Sequence, residues 1–158
     1  MCLNIGKFYR SCTLVALFCL LFSTTSTDAR EFETRSISVK TVSQEIRLLV
    51  EVADNQSLRN KGLMYREMLE PMSGMLFDFN KPTPVFMWMK NTPLSLDMLF
   101  IDEQGKILYI KENTIPGSLD TISASQPVRA VLEVAAGFAL RHEIRIGDTV
   151  KDIIFSNY

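Results

Sequence analysis

The segment Glu45 to Val52 (EIRLLVEV) has the clearest strand pattern in the chain. Four of its five apolar residues occupy alternate positions and therefore share one face of an extended backbone: Ile46, Leu48, Val50 and Val52, with Leu49 on the other face. The preceding segment, Ser36 to Val42 (SISVKTV), alternates in a similar way. Because only a few residues separate the two segments, they predict an opening antiparallel pair of strands.

Short apolar segments continue along the chain, each rich in aromatic or branched residues and most of them bounded by glycine or proline. They are Met75 to Phe79, Val85 to Met89, Leu96 to Ile101, Lys106 to Lys111, Pro127 to Ala135 and Thr149 to Phe155. Asp102 to Gly105 predicts a tight hairpin, since glycine readily takes a positive φ. About eight short strands predict a mainly β fold, a compact antiparallel β-sandwich or barrel.

Two segments interrupt this pattern with helical signals. Residues 55–61 are mostly polar and show no strand alternation, Asp54 can cap their start, and Gly62 suits the position after a helix. Ala136 to His142 predicts one or two further helical turns. We therefore expect one or two short helices beside the strands.

The N-terminus has the three parts of a secretory signal peptide. Lys7 and Arg10 supply positive charge, and the 12 residues from Ser11 to Phe22 are free of charge. Small and polar residues follow from Ser23 to Ala29. The apolar run is short for a membrane anchor, which needs about 20 residues. We predict a cleaved signal peptide at 1–29, which is the chain's membrane contact before cleavage.

After that segment we expect a short unstructured leader at 30–35 and a single β-rich domain at 36–156. All three cysteines, Cys2, Cys12 and Cys19, lie within the signal segment, so the mature chain has no thiol and no disulfide. Loss of residues 1–29 changes the formal net charge from −1 to −2. Nucleic-acid binding calls for a clustered positive surface, which the sequence does not show. We expect a periplasmic or secreted protein that does not bind nucleic acid.

Several motifs resemble the domain-of-unknown-function 192 family, also called the uncharacterised ancient conserved region family. They are Gly62 to Arg66, Gly74 to Phe77, Met87 to Thr92 (MWMKNT), Leu96 to Asp102, Leu132-Glu133 with Gly137, and Gly147-Asp148. The MWMKNT run is the most specific, because tryptophan is rare and the order is unusual. The resemblance covers roughly residues 37–156 and implies a compact, mostly antiparallel β fold. It implies no established activity.

A polar corner beside Trp88 is the strongest candidate site. Lys90, Asn91 and Thr92 directly follow an apolar segment, and Asp97 lies among apolar neighbours, where an unpaired charge costs several kcal/mol. Two interpretations fit this pattern. Lys90 and Asp97 pair while Asn91 and Thr92 complete a turn, or the group converges on a ligand pocket.

Arg66 and Glu133 are the remaining candidates. Arg66 fits either interpretation as a bidentate donor to a carboxylate. Alternation places Glu133 beside Arg129 and Val131, which predicts a solvated or cross-strand paired face. If Glu133 instead reached Lys90 or Asp97, the carboxylates could share acid and base roles.

Metal binding has weaker support. His142 is the only histidine and, at the end of a helical turn, is typical of a residue that interacts with the helix dipole. One imidazole without thiolates makes a poor zinc site. Thioethers favour Cu(I), and seven methionines remain after cleavage: Met64, Met68, Met72, Met75, Met87, Met89 and Met98. Methionine also fills irregular cores, and Met87 and Met89 would share a strand face.

Three hypotheses follow. The first is a non-enzymatic exported domain that binds a small polar ligand or a cell-envelope partner near Trp88, Lys90, Asn91 and Asp97, without cofactor or metal. The second is a hydrolase or lyase that uses Asp97 and Lys90 as acid and base. The third is a periplasmic Cu(I) carrier that uses methionines.

We predict that the natural mature protein begins at Arg30, since Thr27 and Ala29 suit the small-residue positions before a cleaved bond. Intact mass of protein purified from its natural host measures this directly. A mass that retains residues 1–29, in protein recovered from the cytosol, would contradict the export hypothesis.

Overall fold

The alternating segment at 45–52 forms a central part of a mixed β-sheet. The computed structural model describes residues 31–155, so the predicted signal peptide lies outside the described residues. Within them the strands are β1 (Glu33–Lys40), β2 (Glu45–Ala53), β3 (Ser73–Thr83), β4 (Leu96–Ile101), β5 (Ile107–Lys111), β6 (Val128–Ala135) and β7 (Thr149–Lys151). The helices are α1 (Gln56–Lys61) and α2 (Phe138–Arg141).

The seven strands form one sheet in the order β5-β4-β6-β3-β2-β1-β7. Every neighbouring pair is antiparallel except β2 and β3, which run parallel. The two edges meet, since Lys106 bridges Thr149 and the Val150 amide donates to the Gly105 carbonyl at 2.7 Å. The sheet is therefore nearly closed into a barrel, which confirms the predicted mainly β fold. The parallel pair arises because α1 and its following loop carry the chain across instead of a hairpin.

The interior of this barrel is one hydrophobic core. Every strand contributes to it, with Val39, Leu48, Leu76, Leu132 and Val150 among its fully enclosed side chains. Phe138 and Ala139 of α2 belong to the same cluster. Apolar burial of this kind stabilises by roughly 25 cal/mol per Å².

A second core lies on the outer face of β3, β4 and β6. Met75, Phe77, Met98, Phe100 and Val131 point outward from these strands into that core. The side chains that cover them come from outside the barrel: Leu58 of α1, Leu63, Val85 and Met89. Strand β4 is thus buried on both faces, which explains why all six residues of LDMLFI are buried.

Several predicted boundaries change in the structure. Strand β1 begins at Glu33, inside the segment 30–35 predicted to be unstructured, because Glu33 and its neighbours pair with the end of β2. The closing strand ends at Lys151 rather than Phe155, because Asp152 starts a turn and accepts from the Ile154 amide at 3.1 Å. Helix α1 is capped by Asn55 rather than Asp54, and Gly62 takes φ +46° after it as expected.

The predicted strand Val85 to Met89 is wrong. This segment belongs to an irregular stretch, the 84–95 loop, whose one ladder contact is the bridge between Met87 and Ile122. Val85 and Met89 are buried, yet they pack against the sheet through their side chains instead of joining it. Among residues 31–155, no helix has the length and apolar character needed to cross a membrane.

Gly74 lies where the backbones of β3 and β6 approach closely, so a substitution at this position tests that contact. A Cβ atom at this position would lie 2.5 Å from the Glu133 carbonyl oxygen, which is backbone and cannot move aside. We expect Gly74→Ala to lower the free energy of unfolding by about 3 kcal/mol in urea titrations. Gly117→Ala is the matched control, since a Cβ there meets nothing within 4 Å and only its φ of +72° is unfavourable. Its expected cost is about 1 kcal/mol, and equal losses would contradict the packing argument.

Candidate functional site

A cavity of about 620 Å³ lies on the outer face of the barrel, beside the second core. Four parts of the chain form its walls: α1 with the residues after it, β3, the 84–95 loop and β6. Its size falls within the range typical of small-molecule sites, about 300–1,000 Å³. Five of the residues predicted from the sequence border it: Trp88, Lys90, Asn91, Thr92 and Glu133.

Glu133 lies in the wall that β6 contributes. It is opposite Met75 of β3 and Met98 of β4 in the sheet register, so its side chain points into the outer core. The residue is only 4% exposed. Burial raises the pKa of its carboxyl group to about 8, and no hydrogen bond from a described residue offsets that rise. The group therefore holds its proton at neutral pH.

Cationic side chains surround the cavity. They come from three different elements: Arg59 and Lys61 from α1, Lys81 from β3, and Lys90 from the 84–95 loop. Arg59 is fixed in place, because Nη1 donates to the Asp78 carbonyl at 2.7 Å and the guanidinium lies 5.5 Å from the Phe79 ring centroid. Glu133 is the one acidic residue among the described residues that line the cavity.

Aromatic side chains supply the apolar part of the wall. Phe77 is buried, while Phe86 and Trp88 are 69% and 59% exposed. Large exposed aromatic rings at the mouth of a cavity are typical of binding surfaces, since they offer contact area at low entropic cost. The 84–95 loop that carries them is held by backbone bonds from Met87 to Ile122 and from Met89 to Ser118.

Asn91 and Thr92 fix the turn at the end of this loop. Asn91 adopts φ +55°, and its Nδ2 donates to the Tyr65 hydroxyl at 2.8 Å. The Tyr65 amide in turn donates to the Asn91 carbonyl at 2.7 Å. The Thr92 hydroxyl donates to the Lys90 carbonyl at 3.3 Å. The Thr92 side chain thus satisfies the backbone of the turn, whereas the Asn91 side chain bonds Tyr65, and together these contacts position the backbone of Lys90 beside the cavity.

Arg66 lies outside the lining of the cavity. Its guanidinium forms a bidentate pair with Glu51, with N–O distances of 2.5 and 2.6 Å, and it also contacts the ring of Phe32. The predicted bidentate contact to a carboxylate is therefore present, and the carboxylate belongs to the protein. The ion pair fixes the segment after α1 to β2.

Asp97 is also structural. It is fully buried, and its two oxygens accept from the backbone amides of Asn113 and Ala139, each at 2.9 Å. The second of these bonds satisfies a free amide at the start of α2. The predicted Lys90–Asp97 pair is wrong, and Asp97 is not placed to act as acid or base on a molecule in the cavity.

The domain-of-unknown-function 192 family model (DUF192, uncharacterized ACR) matches residues 37–151. The chain belongs to this family. The resemblance inferred from the MWMKNT run and its companion motifs is thereby confirmed. No curated protein matches the chain.

Solved structures of other proteins resemble this DUF192 domain. A candidate transcription regulator from Sinorhizobium meliloti 1021 has 43% sequence identity and a TM-score of 0.75, and the match covers 77% of this chain and 95% of that one. A protein of unknown function from Novosphingobium aromaticivorans DSM 12444 has 30% identity and a TM-score of 0.75, with 79% and 89% covered.

Sequence reasoning misjudged Glu133. The alternation is correct, because Val131 and Glu133 do share one face of β6. The predicted solvated or paired face is wrong, since α1 and the 84–95 loop cover it. The sequence also gave no reason to group Lys61, Lys81 and Phe86 with Lys90, because they lie on separate elements and meet only in the folded chain.

The methionines fall into three groups. Met75, Met89 and Met98 are enclosed in the outer core, where they fill space. Met68 and Met72 are exposed, while Met64 and Met87 line the cavity. No group of three or more histidine, cysteine, aspartate or glutamate side chains among residues 31–155 is arranged to hold a metal ion. His142 follows α2 as expected, with its ring against Phe138.

A second, more open groove of about 660 Å³ lies beside Asn91 and Thr92, with Tyr65 and Pro116 among its walls. It contains no buried ionisable group, because its acidic residue, Glu67, is exposed. The cavity beside Glu133 is therefore the better candidate, since perturbed ionisable groups concentrate at functional sites.

The raised pKa of Glu133 predicts a specific dependence of stability on pH. The folded chain keeps a proton up to about pH 8, whereas the unfolded chain releases it near the ordinary value of 4.5. Stability from this group is therefore greatest below pH 4.5 and falls as the pH rises to 8, by at most about 1.4 kcal/mol per pH unit. We expect Glu133→Gln to remove this slope.

Urea unfolding at pH 5 to 9 measures the difference between the two proteins. The exposed Glu112→Gln variant is the control, and it should keep the slope of the unmodified protein. Parallel pH profiles for Glu133→Gln and the unmodified protein would show that Glu133 ionises normally in the folded state.

Proposed function

We propose that this DUF192 protein is an exported domain that binds a small polar ligand in the cavity beside Glu133. The observation that carries the proposal is the convergence of Trp88, Lys90 and Glu133 on one cavity of about 620 Å³. Apolar walls with a few oriented polar groups are the usual composition of a small-molecule site. Asp97 and Arg66 contribute by holding the surrounding backbone.

The geometry of the 84–95 loop supports binding. Its tip is fixed through Asn91 and Tyr65, so the backbone that carries Trp88 and Lys90 is in position before a ligand arrives. A preformed site loses less conformational entropy on binding than one that must be ordered. An envelope partner remains the alternative occupant of the exposed rings of Phe86 and Trp88.

One observation favours an enzyme as a second candidate. Glu133 combines burial, a pKa near 8 and a place on the wall of a cavity, which are properties of a general acid or base. In this version of the hydrolase or lyase hypothesis, Glu133 takes the role that the sequence assigned to Asp97. Lys90 borders the same cavity.

Trp88 provides the test of binding, because it is the only tryptophan in the chain and borders the cavity. We expect at least one compound from a library of cell-envelope metabolites to change its fluorescence and to raise the melting temperature. Lys90→Gln should weaken that compound's binding several-fold, since it removes a charge at the cavity. Lys40→Gln, an exposed change on β1 outside the lining, should leave binding as it is.

The three hypotheses, which are ligand binding, an enzyme and a Cu(I) carrier, predict different results. A library that leaves both signals unchanged would contradict small-ligand binding. Turnover of the bound compound that is abolished in Glu133→Gln would favour the enzyme. A Cu(I) titration under reducing conditions tests the third hypothesis, and weak, non-saturating binding would remove it.

A further inference from the structure

We propose that the molecule bound in this cavity is a small organic anion, a carboxylate or phosphate attached to an apolar group. The inference rests on the proposed function and specifies its ligand class. It follows from the charges around the cavity, from the state of Glu133 and from the aromatic wall, which are three separate features of the site.

The side chains that line the cavity carry far more positive charge than the chain as a whole. The whole chain carries a formal charge of −1, yet four cationic side chains line one cavity: Arg59, Lys61, Lys81 and Lys90. None of the ion pairs among the described residues involves Lys81 or Lys90. Both ammonium groups are therefore available to a ligand's negative charge.

Glu133 contributes to an anion site, because its neutral carboxyl group does not repel an anion. Its charged neighbours around the cavity come from α1, β3 and the 84–95 loop, and all of them are cationic; the residues opposite it in β3 and β4 are Met75 and Met98. A protonated carboxyl group can donate a hydrogen bond to an anionic oxygen, whereas an ionised one only accepts. With burial raising the pKa of Glu133 to about 8, the donor form is present at neutral pH.

The apolar group of the ligand is indicated by the walls. Phe77, Phe79, Phe86 and Trp88 all line the cavity beside the cations. An inorganic ion would leave these rings without a contact, while an organic anion would cover them and remove apolar area from water. Carboxylate and phosphate share the chemistry that the lysines and Glu133 recognise.

Four probes of similar size but different charge show whether the charge of a ligand determines its affinity. They are phenylacetate, phenyl phosphate, phenylacetamide and phenethylamine. Chemical shifts of the Trp88 indole N–H, followed by NMR during titration of the full mature chain, report binding to the cavity. We expect at least one of the two anions to bind at least tenfold more tightly than the neutral amide and the amine. Comparison of the two anions then shows which acidic group the site prefers.

Variants test which residues are responsible. Lys81→Gln and Lys90→Gln should each weaken binding of the favoured anion several-fold, whereas Lys40→Gln should not. Binding of phenylacetate should weaken above pH 8 as Glu133 ionises, and in Glu133→Gln its affinity should stay constant from pH 6 to 9. These readouts do not depend on protein stability as long as each variant keeps a folded NMR spectrum.

Equal or tighter binding of the amide or the amine would overturn the inference, and so would failure of both anions to bind. Failure of the proposed function is a different result, because it requires that no compound in the metabolite library binds at all. If the library yields a neutral or cationic ligand at Trp88, the binding function stands and the assignment of an anion is wrong.

Discussion

Burial of β3, β4 and β6 on both faces is the constraint on which the rest of the structure depends. A barrel encloses only one face of each strand, so the outward apolar side chains of these strands, such as Met75 and Phe100, need a second cover. Helix α1 and the 84–95 loop supply that cover, and they are not strands themselves. Because irregular segments do not fill a flat sheet face completely, an open cavity remains between them and the sheet.

Polar contacts outside this cavity keep its walls in position. Asp97 connects β4 to the start of α2 and to Asn113, and the Arg66–Glu51 pair connects the segment after α1 to β2. Asp97 is fully enclosed, so loss of one of its partners would leave an unsatisfied group, which costs about 1–3 kcal/mol, whereas the Arg66–Glu51 pair is partly exposed. The family motifs therefore include residues whose role is to hold the backbone as well as residues that face the cavity.

The sequence predicts most of the fold because alternation and apolar runs follow directly from the strands. The prediction of Leu96 to Ile101 has both ends correct, since a strand buried on two faces is apolar at nearly every position, here at all but Asp97. Val85 to Met89 has a similar composition, yet it contacts the seven-stranded sheet through side chains without joining it, and composition cannot separate the two cases. Glu133 shows the other limit, because periodicity assigns a residue to a face without indicating what covers that face.

The cover over the outer face also determines the charge inside the cavity. By excluding water, it raises the pKa of Glu133, so the one acidic group of the lining stays neutral while Lys81 and Lys90 keep positive charge around the opening. An ionised Glu133 would repel an anion and attract the lysines instead. The same packing that completes the outer core therefore removes the one negative charge that would weaken the positive potential of the lining.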